Sequence, residues 1–408
     1  MHILFLTDNF PPESNAPATR TFEHACEWVK LGHDVTVVTC APNFPEGVLF
    51  PGYKNRWYQR ETMAGINVVR VKTYITANEG FARRILDYLS FGFMGCLAGL
   101  LQRRPDVIVS TSPQFFCACG AWVLSVLRWK PWVFELRDIW PGTITAVGVM
   151  KKNWTISLLE KIEIFLYRRS TRIVSVTNSF KDELIARGIN GHKIDVVLNG
   201  VDTSTYERAH TKDENLAVRY GLTGKFVVGY IGTLGLCQGL DTVIDAASLA
   251  QDYADIRFLF AGAGAERGKL ERLIALRGLQ NIVMMPPQPK AMMPRVWSLC
   301  DISLIVLRDQ PMFAKVIPSK IFESMGMGLP MVSSCPQGEA SQIIRDTSSG
   351  LVVPPGDPEM LAASIIQLYA DPVGLKELGL ASGNSARLYD RNGQARLMLS
   401  ALVRAVEN

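Results

Sequence analysis

No apolar run in this 408-residue chain is long enough to cross a bilayer: between Arg84 and Arg103 the uninterrupted apolar part, Tyr88–Leu101, is 14 residues, below the roughly 18–20 of a span. Cysteine chemistry is missing as well. The eight cysteines, at 26, 40, 96, 117, 119, 237, 300 and 335, form no CxxC pair and no His-rich metal spacing. Most sit in apolar runs, where a free thiol behaves as a small hydrophobe, so a reducing cytosol without a disulfide framework is expected. The start MHILFLTDNF is short and meets Asp8 at once, so no secretory signal is expected either. A net charge of +5 is too small for a nucleic-acid binder. The loop after the first apolar run, ESNAPATR, lacks the GxGxxG fingerprint of a dinucleotide clamp and suits an open substrate loop better.

With 48% hydrophobic and 20% charged residues, the chain is an ordinary folded protein of two or three domains. His2–Thr7, a helix over Thr19–Leu31 and Val35–Thr39 make a βαβ opening, for which a parallel sheet is the default. Pro42–Ala64 is loop-rich and Ile66–Tyr74 alternates like a strand. Val107–Ser110, Trp132–Leu136, Ile173–Thr177 and Ile194–Leu198 read as further strands, with helices over Trp154–Ser170 and Ser179–Arg187. Asn199-Gly200-Val201-Asp202 then leads into a polar linker, Thr203–Gly224. The pattern restarts at Phe226–Ile231, continues through Ile256–Ala261 and Ile302–Leu307, and ends in helices. Two doubly wound α/β halves therefore meet within residues 199–225.

Three places carry candidate chemistry. The strand Trp132–Leu136 runs into ELRDIWPGTITAVG, which puts Arg137 and Asp138 at a strand's carboxyl end, where open α/β sheets bind ligands; a structural ion pair is the plainer reading. In the second half the glycine-rich turn Gly232-Thr233-Leu234-Gly235-Leu236-Cys237-Gln238-Gly239 lets backbone N–H groups approach a phosphate. Pro318–Glu339, PSKIFESMGMGLPMVSSCPQGE, combines a short helix from Pro318, a stop at Gly328-Leu329-Pro330 and the strand Met331-Val332-Ser333. Its Lys320 and Glu323 lie i,i+3 on one face, as a solvated pair or as a ligand-binding one. The charge excess lies wholly in residues 1–205, with 23 Lys and Arg against 18 Asp and Glu. There the basic doublets Arg83-Arg84 and Arg103-Arg104 bracket Tyr88–Leu101. An in-plane amphipathic helix on anionic lipid and a buried core helix fit that segment equally.

Val197–Asp202, the Gly232–Gly239 turn, Gly262-Ala263-Gly264, Pro318–Glu323 and Gly328-Leu329-Pro330 together resemble the retaining glycosyltransferases of family 4, nearly end to end. LRDIWP at 136–141 and PSK at 318–320 resemble the N-acetyl-L-fucosamine transferase subgroup of O-antigen and capsule assembly. The resemblance implies the GT-B fold, two doubly wound Rossmann-like domains facing across a cleft. They would be an acceptor-binding domain at 1–200 and a nucleotide-sugar-binding domain at 201–390, with a C-terminal helix at 391–408 expected to pack back toward the first. It also implies transfer from a UDP-sugar to a polyprenyl-diphosphate-linked acceptor at the anionic inner face of the membrane, without nucleic acid, resident cofactor or metal. No D-x-D motif occurs in the sequence.

By the same resemblance Glu323 matches the family's second acid, which takes both ribose hydroxyls; a carboxylate has two oxygens for such a diol. The first acid falls at Lys315, and the cations that neutralise the diphosphate fall at Thr233 and Gln238. With those two uncharged, Lys320 is the substitute cation, assisted by the amides of Gly232 and Gly235, by Gly262 and Gly264, and by Ser319 at the helix start. Lys315 is a second cation or a sugar contact. Asp138 orients the acceptor hydroxyl beside Arg137, and Asn15 and Arg20 are the acceptor-side candidates, Arg20 facing a phosphate or simply the surface. Two other readings stay open: a nucleotide-sugar 2-epimerase of the same fold, and a non-catalytic nucleotide-sugar-binding scaffold.

Overall fold

Short β-branched and aromatic runs closed by polar or glycine turns form fourteen strands among the described residues, and helices cover them. The structure, a computed structural model, describes residues 1–408 except 14, 45, 77–80, 113–114, 141–153, 209–210 and 408. Residues 141–148 of the stretch that follows Leu136 in the sequence reading lie outside the described residues. The chain divides into two compact units, one comprising Met1–Leu198 with Arg391–Asn408, the other Asn199–Asp390.

In the first unit, β1 (His2–Leu6), β2 (Asp34–Cys40), β3 (Tyr58–Met63), β4 (Ile66–Val71), β5 (Val107–Thr111), β6 (Trp132–Leu136), β7 (Arg172–Ser175) and β8 (Ile194–Val196) form one sheet. Its order is β3-β4-β2-β1-β5-β6-β7-β8. All neighbours are parallel except the edge pair β3–β4. That edge strand corrects the loop reading of Pro42–Ala64. YQRETM carries too many charged and polar residues to announce a strand, and only pairing with β4 reveals it. Val35, Val37, Val107, Val109, Val133 and Val174 meet Trp28 in a core that also takes Met398, Ala401 and Leu402 from the helix Arg391–Glu407. The Trp28 indole donates to Ala395 O at 2.8 Å.

Helix α1 spans Ala16–Lys30, α2 Phe81–Leu100 and α3 Phe115–Arg128. The glycines of the apolar run let α2 and α3 touch backbone to backbone: a Cβ on Gly120 would stand 2.3 Å from Gly92 O, and one on Gly92 would stand 2.4 Å from Phe116 O. Phe91, Cys96 and Ala98 are buried, whereas Leu86, Leu89, Phe93, Leu97 and Leu101 are exposed, Phe93 at 66%. So the segment is a core helix on one face and an apolar surface on the other. No described helix is long and apolar enough to cross a membrane.

The second unit holds β9 (Phe226–Ile231), β10 (Ile256–Ala261), β11 (Ile282–Met285), β12 (Ile302–Val306), β13 (Met331–Ser334) and β14 (Gly350–Val353), ordered β11-β10-β9-β12-β13-β14 and wholly parallel. Parallel strands covered on both faces read as continuous apolar runs, which is why they were legible. Its core joins Val228, Tyr230, Phe258, Phe260, Leu304 and Val332 to Leu361 and Ile365 of the helix Pro358–Ala370. The supposed linker 203–224 belongs to this unit and contains the helix Glu214–Arg219, capped by Asp213, whose carboxylate accepts from Leu216 N. Six residues between polar neighbours are too few for an amphipathic pattern, so the sequence hid that helix.

Candidate functional site

In the second unit the strand order reverses beside β9, with β10 on one side and β12 on the other, and the loops leaving these strands carry the candidate residues. Gly232 has φ +135°, and Gly262 and Gly264 have φ +151° and +156°. The last two serve packing between loops. A Cβ on Gly262 would stand 1.9 Å from Gly232 O, and one on Gly264 would stand 2.1 Å from Leu234 O. Gly232 N donates to Ala261 O at 2.9 Å and Leu234 N to Ala263 O at 2.8 Å. These two glycines hold the Gly232 turn against the next loop.

The turn is tied down on its own side too. Gln238 accepts through Oε1 from Gly235 N at 3.1 Å, so its amide closes the turn where a charged residue would reach outward. Thr233 is exposed, and its carbonyl accepts the Tyr230 hydroxyl at 2.8 Å. Tyr230 itself is 1% exposed. Its ring faces Lys320, whose Nζ lies 3.4 Å from the ring centroid. A Cβ on Gly232 would stand 3.4 Å from the same Nζ.

Lys320 opens the helix Lys320–Gly326, in which Ile321, Phe322, Ser324 and Met325 are buried. Ser324 Oγ bonds Ser303 Oγ and Lys320 O, each at 2.7 Å, and so pins that turn to β12. The helix begins two residues after the expected start at Pro318, and Ser319 before it makes no side-chain cap hydrogen bond. The Lys320 stem is partly exposed, yet Nζ is shut off from solvent and makes no hydrogen bond. Burial pushes its pKa from 10.5 down to about 7, and the charge of Glu323, one turn along, opposes the shift. Aromatic contact alone does not replace an ammonium's lost water. Glu323 is half-buried on the same helix, and Lys315 ends the tight turn Pro311–Lys315.

In the first unit the acceptor-side candidates fare differently. Arg20 is a correction: it is 1% exposed, its Nε donates to Glu135 Oε1 at 2.8 Å, and its terminal nitrogens donate to Leu198 O at 2.7 Å and Val197 O at 3.0 Å. It is an interior tie between α1, β6 and the chain after β8. Asn15 caps α1, accepting from Ala18 N at 3.0 Å and donating to Asn9 Oδ1 at 2.6 Å. Arg137 and Asp138 do stand beyond β6, where Ser112 Oγ accepts from both their backbone N–H groups, at 2.7 and 3.1 Å. Sequence reasoning passed over Tyr230, Glu135 and Arg391. A glutamate inside the apolar strand WVFEL was itself a signal that a buried cation must exist.

Two family models match. Residues 225–371 match "Glycosyl transferases group 1", and residues 15–200 match "Glycosyl transferase 4-like domain". The chain is a glycosyltransferase of the family 4 type. A relative along most of this glycosyltransferase is the putative colanic acid biosynthesis glycosyl transferase WcaI of Escherichia coli, 26% identical over 91% of this chain and 93% of that one. Among solved structures it resembles Anabaena HepE in complex with UDP and glucose, with TM-score 0.73 and 17% identity over 98% of this chain and 99% of that one. Sucrose-phosphate synthase from Thermosynechococcus elongatus is similar at TM-score 0.76, with 15% identity over 99% and 98% of the two chains. These likenesses show the GT-B fold.

The Lys320 environment predicts how this glycosyltransferase responds to pH without ligand. The folded pKa lies below the unfolded one, so between about pH 7 and 10.5 the unfolded chain binds more protons. Stability contributed by this site therefore rises across that window, and the cost is complete below it. Lys320→Met should stabilise the ligand-free protein by roughly 2–4 kcal/mol at pH 6.5, a gain that fades by about pH 10. Urea unfolding at several pH values measures it; a gain independent of pH would show that the ammonium is not strained.

Proposed function

We propose that this glycosyltransferase moves a sugar, with retention, from a UDP-sugar to a lipid-linked glycan acceptor during assembly of a cell-surface polysaccharide such as O-antigen or capsule, with an N-acetylated deoxysugar as the donor class. The observation that carries the reading is the buried, unbonded ammonium of Lys320 beside the Gly232 turn, with Glu323 one turn away. HepE is recorded with UDP and with UDP-glucose, and WcaI is named for colanic acid biosynthesis, which supports the donor and the pathway class.

In this account Glu323 takes the ribose hydroxyls, and Lys320 with the amides of the Gly232–Gly235 turn meets the diphosphate, so that no divalent ion is needed. As the donor C–O bond breaks, its electron pair moves to the β-phosphate and the acceptor oxygen bonds the anomeric carbon on the same face. The leaving phosphate takes the acceptor's proton. Charge grows on UDP in the transition state, and a donor that sheds its water in the ground state stabilises that charge without reorganisation. Lys320→Ala should lower kcat about a hundredfold, the scale of one lost electrostatic donor, with a smaller change in donor KM. Lys315→Ala is the comparison: if it alone reproduces the loss, the two lysines exchange roles. UDP-sugar consumption without acceptor, yielding an altered nucleotide sugar, would instead establish the epimerase.

The first unit also supplies a docking surface for this reading, at the cytoplasmic face of the inner membrane. Beside the exposed α2 stripe, α3 and the turn after it expose Val126, Leu127 and Trp129, the last at 86%. Arg83 and Arg84 lie in the first turn of α2, and Arg103 and Arg104 follow its end. Apolar residues that lie in an interface and basic ones that meet anionic headgroups act together. Exchanging those four arginines for serine should release the protein from phosphatidylglycerol-rich liposomes in a flotation assay. Wild-type protein that never floats with such liposomes removes the membrane from the proposal.

A further inference from the structure

The end of β6 in the first unit holds more positive charge than its neighbours compensate. Arg20 and Arg391 each have a carboxylate of their own: Arg20 Nε meets Glu135 Oε1 at 2.8 Å, and Arg391 Nη1 meets Glu23 Oε2 at 2.6 Å. Arg137 has none. Among the described residues no hydrogen bond or ion pair engages its guanidinium, and Nη1 is shut off from solvent. The groups that act on it electrostatically are Glu135, which favours its charge, and Arg20 and Arg391, which oppose it. Burial and these two cations push its pKa down to about 10, so the guanidinium remains ionised at neutral pH. His24 on α1, buried and facing Arg20, Arg391 and Arg137, is held neutral by burial and by the same field. Its Nε2 finds no partner, so it supplies no compensation.

A guanidinium always carries its charge, and Arg137, half-buried as a residue, keeps its Nη1 out of water without a partner, which is unfavourable for an ionised group. Such an arrangement persists where a ligand completes it. The backbone there is fixed independently, because Ser112 Oγ accepts from the N–H groups of both Arg137 and Asp138. The planar fork of Arg137 matches the two oxygens of a carboxylate or of a phosphate. We propose that Arg137 is the anion-holding residue of an acceptor subsite on the first unit, where it grips one oxyanion group of the acceptor. The oxyanion site stands on the first unit alone; its assignment to the acceptor rests on the transferase reading. An acidic sugar's carboxylate and a phosphate of the lipid carrier are the two sources of such a group.

The test uses the full chain with UDP at saturation, so that added anions cannot report on the donor site. Melting temperature is followed against inorganic phosphate and against D-glucuronate, with chloride at matched ionic strength as the reference. Wild-type protein should gain a few degrees with at least one anion. A response to phosphate alone assigns the group to the lipid carrier's phosphate; a response to glucuronate alone assigns it to an acidic sugar. Arg137→Gln should abolish the response, and without added anion should melt at the same temperature as wild type or higher, because an uncompensated charge is gone. Arg137→Lys should keep part of the response. The inference is overturned if the wild type responds to neither anion, if Arg137→Gln responds as the wild type does, or if Arg137→Gln melts several degrees lower in anion-free buffer, which would make the guanidinium structural. Failure of UDP itself to bind, read separately by calorimetry, would count against the transferase reading and leave the anion response to stand or fall alone.

Discussion

A lysine ammonium held out of water with no hydrogen-bond partner is the constraint on which the second unit's functional reading depends. Its immediate surroundings are the Tyr230 ring at 3.4 Å and the backbone of Gly232. Neither restores what the ammonium loses on leaving water. The fold keeps it there with a set of ties that are costly to break. The Tyr230 hydroxyl is fixed on Thr233 O, the Ser324 hydroxyl joins the lysine's helix to β12, and Gly262 and Gly264 admit the neighbouring loop where any side chain would collide. An incoming diphosphate meets an amine that is already desolvated and aimed and that takes up a proton as the phosphates arrive, so binding energy is not spent on stripping it.

The first unit shows the same logic with the opposite outcome for two of its arginines. Arg20 and Arg391 are satisfied by Glu135 and Glu23, and they act as interior ties. Arg137, a few ångströms of chain beyond β6, receives no such partner among the described residues. Equal residue types at neighbouring positions thus take structural and ligand-facing tasks according to whether a carboxylate stands opposite.

Much of the fold was legible because parallel strands buried on both faces are unbroken apolar runs such as FVVGYI and IRFLFA, closed by glycine turns. What escaped was made by pairing or context: β3, with its polar YQRETM, exists through β4, and the helix Glu214–Arg219 is too short to show a period. The site was legible in part. Lys320 and Glu323 stood out as charges in an apolar stretch, and Gly232, Gly262 and Gly264 as glycines at strand ends. Whether a glycine admits a ligand or a neighbouring loop cannot be read from one chain segment, and Arg20 looked exposed because its partner Glu135 lies 115 residues away. Tyr230 was hidden for the reverse reason, as one aromatic among core residues whose hydroxyl and ring serve the turn.

The central claim, that Lys320 is a strained cation awaiting a diphosphate, is tested most directly by the protons that accompany UDP binding. Titration calorimetry at pH 8 in two buffers of different ionisation heat counts them. With a ligand-free pKa near 7 the ammonium is mostly neutral at that pH and must charge to meet the phosphates. The account predicts uptake of close to one proton per UDP, and an affinity that falls by up to tenfold per pH unit between pH 7 and 9. UDP that binds with no proton uptake and with equal affinity at pH 7 and pH 9 would contradict it.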